Sequence, residues 1–171
     1  MFKPSTYVNL LSDSGFKAVY ADKANKSLLV NLSKQILPDT VEKVKDITEY
    51  LDRELNSDIA AGMSSRLDLI CVTDNGNRVI VEVQRKNYSS FMDRCLYYMS
   101  DVYRKQLLAG DDYANLQSVY LISILDYAFP HENEKLWDSD NFISRYSFVE
   151  TRTGELGSNK FFINFAETKR F

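Results

Sequence analysis

Arg66-Leu-Asp68-Leu-Ile-Cys-Val-Thr73, then Asp74-Asn75-Gly76-Asn77, then Arg78-Val-Ile-Val-Glu82-Val-Gln84: this stretch decides the fold. It reads as two apolar strands joined by a tight turn, each with one acidic residue where a core side chain is expected. Side chains alternate along a strand, so Val79, Val81 and Val83 share one face and Ile80, Glu82 and Gln84 the other. Asp-Asn-Gly suits a three-residue hairpin loop whose last residue, Gly76, takes the left-handed conformation. That loop pairs Thr73 with Asn77 and, counting back along both strands, Asp68 with Glu82. Directly opposed Cβ atoms lie about 4.5–5.5 Å apart, close enough for two carboxylates to share one cation. A buried carboxylate is costly unless compensated, and a divalent metal compensates it well. A two-residue Asn-Gly loop would put the acids on opposite faces and leave two ordinary solvated edge residues. Both readings stand on these residues alone.

An Asp on one strand, Glu-x-Gln ending the next and a helix after it resemble the PD-(D/E)XK nuclease superfamily. The likeness is nearer to its transposase-associated branch, the recombination-promoting nucleases. Several further pieces follow in order. Asp13-Ser-Gly-Phe16-Lys17-Ala-Val-Tyr20 resembles the branch's opening Asp-x-x-Phe-Lys motif. Asn25 to Leu37 is similar to its second helix, and Ile47-Thr-Glu-Tyr-Leu51 to its first core strand. Val81-Glu82-Val83-Gln84 resembles its Glu-x-Gln signature. Arg94-Cys-Leu-Tyr97-Tyr98 and Tyr103-x-x-Gln106 resemble the following helix, and Gly110-Asp-Asp-Tyr113 with Val119 to Leu125 the next loop and strand. Two departures matter. Gln84 stands where the superfamily has Lys, which removes a positive charge, and Leu67 rather than Pro precedes Asp68. A literal Pro38-Asp39 and a literal Glu167-Thr-Lys169 also occur; we read both as decoys, since Pro38 falls where a helix should stop and no hairpin joins the two.

The resemblance implies an α/β fold: a restriction-endonuclease-like core with a central mixed β-sheet flanked by helices, in the order α-β-β-β-α-β. It adds an N-terminal helix pair and a C-terminal β-hairpin. It implies one nuclease-like domain over residues 1–171, with a C-terminal continuation beyond Phe171. The implied activity is divalent-metal-dependent DNA endonuclease action associated with transposition or recombination. Mg²⁺, with Mn²⁺ able to substitute, would be held by Asp68, Glu82 and the Val83 carbonyl, and Gln84 would position the attacking water. Asp13 would be a further metal or water ligand; a helix cap is its other reading. DNA is the implied partner, a homodimer is compatible, and a cytoplasmic location is expected. The alternative is a catalytically silent module of the same fold that binds nucleic acid or protein.

Composition fits this frame. A chain of 171 residues, 44% hydrophobic and 26% charged, suits one globular domain able to bury roughly 70% of its unfolded surface. No apolar run approaches the ~18 residues of a membrane span. The two cysteines, Cys71 and Cys95, read as reduced buried thiols. A net charge of −3 speaks against coating nucleic acid but leaves room for a local basic cleft.

Local patterns place the elements. Residues 5–21 read as helix interrupted near Gly15, with Asp13 as an N-cap. Asp22 or Ala24 opens a second helix whose apolar face is Leu28, Leu29, Leu32 and Ile36, closed by Pro38. Residues 44–51 read as strand and 52–65 as loop. Asn87, Ser89 or Ser90 caps a long helix ending at Gly110. Val119–Leu125 suits a buried central strand. Residues 129–141, with His131 and Trp137, read as irregular loop, and 142–151 with 160–166 as a final hairpin. On the long helix Arg94, Tyr98, Asp101 and Lys105 fall on one stripe. Arg94 and Tyr98 could face the site and contact phosphate or base. Lys86 could supply the missing charge, and Arg85, Lys86, Arg104, Lys105, Lys169 and Arg170 a positive rim. A solvated surface is the other reading of all these charges.

Overall fold

The computed structural model describes residues 8–38, 44–51, 67–136, 140 and 142–170. A six-stranded mixed sheet forms its centre. The strands are β1 (Ile47–Tyr50), β2 (Leu69–Thr73), β3 (Arg78–Gln84), β4 (Val119–Leu125), β5 (Ile143–Val149) and β6 (Leu156–Glu167). They lie in the order β1-β2-β3-β4-β6-β5. β1, β2 and β3 are antiparallel neighbours, β4 runs parallel to β3, β6 runs parallel to β4, and β5 closes the far edge antiparallel to β6. The expected α/β restriction-endonuclease-like architecture is therefore present. The expected C-terminal hairpin is present too, but it is no appendage. β6 enters the sheet beside β4, and its Ile163–Ala166 run is buried, as a strand covered on both faces must be.

The β2–β3 hairpin forms with the odd loop. Leu69 pairs with Val81 and Cys71 with Val79. Thr73 N–H donates to the Asn77 carbonyl at 3.0 Å, and Gly76 N–H to the Thr73 carbonyl at 3.0 Å. Gly76 has φ +81°, a conformation that costs other L-residues roughly 1–2 kcal/mol. Asp74 anchors the loop by accepting from the backbone N–H groups of Lys45 and Asp46.

Helices cover both faces. Helices α1 (Asp13–Tyr20) and α2 (Lys26–Ile36) press Phe16, Leu29, Val30 and Ile36 onto Val79, Val81 and Ile122. Helix α3 (Phe91–Arg104) packs Phe91, Cys95, Met99 and Val102 against Ile70, Ile80, Leu121 and Phe165 on the other side. Each such large apolar side chain contributes about 1.5–3 kcal/mol by leaving water. Both cysteines are free and buried. Among the described residues no helix is long and apolar enough to cross a membrane.

Four local expectations are corrected. Ser12, not Asp13, caps α1 by accepting from Gly15 N–H. Gly15 does not interrupt that helix; it lets the Asn9 carbonyl approach where a Cβ would collide. On α2 the buried face is Leu29, Val30, Ser33 and Ile36, while Leu28 is 46% exposed. Helix α3 ends at Arg104, before Gly110, because Gln106 turns aside to pair with the backbone of Gln117 in both directions. The loop expected at 52–65 lies outside the described residues, as does Trp137.

Candidate active site

Asp68 and Glu82 stand where β2 begins and β3 ends. The Leu69–Val81 pairing, extended by one rung, sets them opposite each other on the face shared with Ile70 and Ile80. Alternate rungs of an antiparallel ladder are bonded and non-bonded. Thr73–Asn77 is bonded and the paired ladder ends at Leu69–Val81, so Asp68, at a bend just before β2, and Glu82 stand one step past its last rung. Both residues are buried, at 9% and 6% exposure. Val83 N–H donates to Asp68 Oδ2 at 3.0 Å. The N–H and C=O of one residue in an extended strand point the same way, so the Val83 carbonyl is also turned to the β2 side.

Two cations approach from the helices. Lys17 of α1 places Nζ 3.0 Å from Asp68 Oδ1 and also pairs with Asp13, one turn earlier on the same helix. Arg94 of α3 lies 3.7 Å from Glu82 Oε2, and its Nη2 donates to Gln84 Oε1. Its guanidinium is seated over the Phe91 and Tyr98 rings. The other end of Gln84 donates to the Lys86 carbonyl at 2.7 Å. Since Arg94 can only donate, it fixes which end of the amide is oxygen.

Compensation of the carboxylates is incomplete. Burial drives the Glu82 carboxyl up to about 7; Arg94 opposes the rise and the Asp68 charge adds to it. Burial likewise raises Asp68, helped by a hydrogen bond with Asp13 and opposed by Val83 N–H and Lys17. Lys17, although partly desolvated, is held above its ordinary range by Asp13 and Asp68.

Beside the pair opens a cleft of about 420 Å³, lined by Leu11, Asp13, Val83, Gln84, Arg85, Lys86, Tyr88 and Asp126. Six of the expected residues, Asp13, Asp68, Glu82, Val83, Gln84 and Arg94, thus meet at one edge of the sheet. Lys86 also reaches the cleft, but β3 ends at Gln84, so it arrives from the exit loop rather than by strand parity.

Other expectations disperse. Tyr98 is buried beneath Arg94, so its ring supports the guanidinium instead of meeting a base. Arg104 and Lys105 both pair with Asp101 at the C-terminal end of α3, with Asp101 about 10 Å along the helix from Arg94 at 1.5 Å per residue. Arg170 is spent on Glu167 and Glu134. Of the expected rim, Arg85 and Lys86 line the cleft, and Lys169 stands beside it on Asp126 at 3.0 Å. Glu167 of the literal Glu-x-Lys is fully buried in a hydrogen-bonded hub with Ser144, Arg170 and His131, so His131 is no mere loop residue. Asp39 of the literal Pro-Asp lies outside the described residues.

Two residues escaped the sequence reading. Lys17 was visible as the i+4 partner of Asp13. Asp126 follows the central strand directly, and its N–H bonds the Gln84 carbonyl at 2.9 Å, a link only the parallel β3–β4 pairing reveals.

Among the described residues no three His, Cys, Asp or Glu side chains converge as a ready-made metal cage. The donors that do converge are hard oxygens on a buried, under-compensated pair, which suits a hard divalent cation completed by water and substrate. Fold and facing carboxylates together define a nuclease-type core. The family model for PD-(D/E)XK nuclease family transposases matches residues 10–171, and the chain belongs to that family. Comparison with curated proteins and with solved structures found no match.

Proposed function

We propose that this protein is a divalent-metal-dependent DNA endonuclease acting in transposition or recombination, with Mg²⁺ as its ion and Mn²⁺ as a substitute. One observation carries the reading: Asp68 and Glu82 lie buried and within electrostatic reach of each other, beside a cleft lined by Asp13, Val83 and Gln84, in a chain of this family. Asp68, Glu82 and the Val83 carbonyl would hold the ion. When bound, it polarises a phosphodiester and activates water. The chain's own residues do the rest. Gln84, its amide orientation fixed by Arg94, keeps one N–H and one lone pair to orient a water. Arg94 holds Glu82 and Gln84 in place. Arg85 and Lys86 meet the DNA backbone at the cleft edge. Asp13 keeps Lys17 at the site and is an auxiliary ligand. Neither the fold nor the family match supports the homodimer.

A second reading, a silent module that binds nucleic acid or protein, is favoured by Gln84, which is neutral and engaged at both ends of its amide. Nicking of supercoiled plasmid separates the two. The endonuclease nicks only with Mg²⁺ or Mn²⁺ and loses at least about 10³-fold in rate in Asp68→Ala and Glu82→Ala. A folded wild type that takes up no Mn²⁺ and never nicks is the silent module.

A further inference from the structure

We propose that Lys17 is the phosphate-neutralising residue of this site, supplying from helix α1 the positive charge that Gln84 lacks at the end of β3. The inference rests on the endonuclease reading above and deepens it.

The cations around the cleft differ in what they are free to do. Arg94 is seated over two rings and bonded to Gln84. Lys169 is paired with Asp126. Lys86 sits past the strand end, with its carbonyl tied to the Gln84 amide. Among the described residues, Lys17 is the cation in ion-pair contact with Asp68, at 3.0 Å.

Its base is rigid while its stem is not. The neighbouring Phe16 is fully buried and stacked on Tyr20, and Ser12 and Gly15 fix the start of α1. From that footing a four-carbon stem carries a compact, rotatable ammonium between Asp13 at the cleft edge and Asp68 at the pair.

The charges give the ammonium its task. Among the described residues the cluster holds three carboxyl groups, Asp13, Asp68 and Glu82, beside the cations Lys17 and Arg94, so a phosphate entering it needs a cation turned toward it. Asp68, held by Lys17 at 3.0 Å, would also be the oxygen donor for a divalent ion, so ion and ammonium would compete for it. The ammonium stays tethered by Asp13, beside the place a phosphate must occupy. Lys17 is thus a competitor of the metal in the resting protein and its ally once DNA is bound.

These two roles predict opposite effects of one substitution. Lys17→Met keeps the stem and removes the charge. It should bind Mn²⁺ several-fold more tightly by calorimetry, yet nick plasmid about 10²-fold more slowly at saturating Mn²⁺, the loss typical of deleting one transition-state charge partner. Lys17→Arg should recover at least about tenfold of that rate. Thermal melting confirms that both variants fold. Lys17→Met nicking at the wild-type rate overturns the proposal, and so does Lys17→Arg as slow as Lys17→Met. Loss of Mn²⁺ binding together with activity in Lys17→Met also overturns it, since a merely structural lysine would behave so. Failure of the underlying reading looks different: the wild type itself neither binds Mn²⁺ nor nicks, and Lys17 then has no phosphate to serve.

Discussion

Two buried glutamates end two strands of the same sheet, and they are treated in opposite ways. Glu167 ends β6 fully buried, and both its oxygens are engaged. They accept from Phe129 N–H at 2.8 Å, Ser144 Oγ at 3.2 Å and Arg170 Nε at 2.6 Å, and pair with His131 Nε2 at 2.8 Å. Glu82, near the end of β3, accepts no hydrogen bond among the described residues, and its nearest cation is 3.7 Å away. A buried carboxylate with a complete set of partners holds a fold together; one left short of partners is poised for a ligand. The literal Glu-x-Lys signature lies on the first and the altered Glu-x-Gln on the second. In this chain the environment of the carboxylate, rather than the letter two positions later, separates structure from candidate chemistry.

The contrast can be broken most severely at Glu167. Glu167→Ala leaves Arg170, Ser144 and the Phe129 N–H without their buried acceptor, and should cost about 3–5 kcal/mol, read as a lowered midpoint in urea unfolding. Unchanged stability would mean the hub is decoration.

Glu82 should behave in the reverse sense. Its folded pKa of about 7 stands above the ordinary 4.5. Between those values the native state keeps a proton that the unfolded chain releases, so the contribution of Glu82 to stability is fully present below pH 4.5 and is lost as pH rises through 7. The ceiling is on the order of 3 kcal/mol. Metal-free Glu82→Gln should lack this decline and be the more stable protein at pH 8. The exposed acids with lowered pKa, among them Asp46 and Asp74, titrate in both proteins and cancel in the difference. Parallel pH curves for the two would remove the claim that Glu82 is under-compensated.

Magnesium sharpens the comparison at smaller scale. At about ten times its dissociation constant it should stabilise the wild type by about 1.4 kcal/mol, seen as a raised melting temperature. Glu82→Gln should show little shift. A shift surviving in that variant would move the ion elsewhere. Of similar size is Gly76→Ala, which meets open space apart from Gln117 at 3.5 Å and should cost about 1–2 kcal/mol through φ alone. A neutral result would mean that the loop relaxes to another turn.

The β2–β3 hairpin was legible because its determinants are local: alternation, a turn sequence and a glycine at the left-handed position. The choice between the odd and the two-residue loop, and with it the face the acids share, was open until the Thr73–Asn77 pairing decided it. Helix α2 and strand β4 were legible for the same reason. What escaped depends on residues distant in sequence. Nothing near Gly110 says that α3 stops at Arg104, because Gln106 answers to Gln117 across the fold. His131 looks like a loop residue until β6 brings Glu167 beneath it. The insertion of β6 between β4 and β5 left one readable trace, the buried run Ile163–Ala166, where a two-layer hairpin strand would alternate. At the site, the carboxylates were readable from strand parity, whereas the cleft that Asp126 completes follows from parallel pairing between distant segments.

That parallel half also shapes how such a chain can diverge. β3, β4 and β6 run the same way, with Gln84, Leu125 and Glu167 level in one row. The chain therefore leaves all three strands at one rim, with Lys86, Asp126 and Lys169 in the first residues of the exits. Exit loops change length and charge without breaking a ladder. Asp68 enters from the opposite direction on β2 and has no such latitude, because its own carboxylate takes a rung's hydrogen bond from Val83. Strand direction thus leaves the rim open to substitution and ties down the pair, so the rim is where substrate preference can be altered around an intact centre.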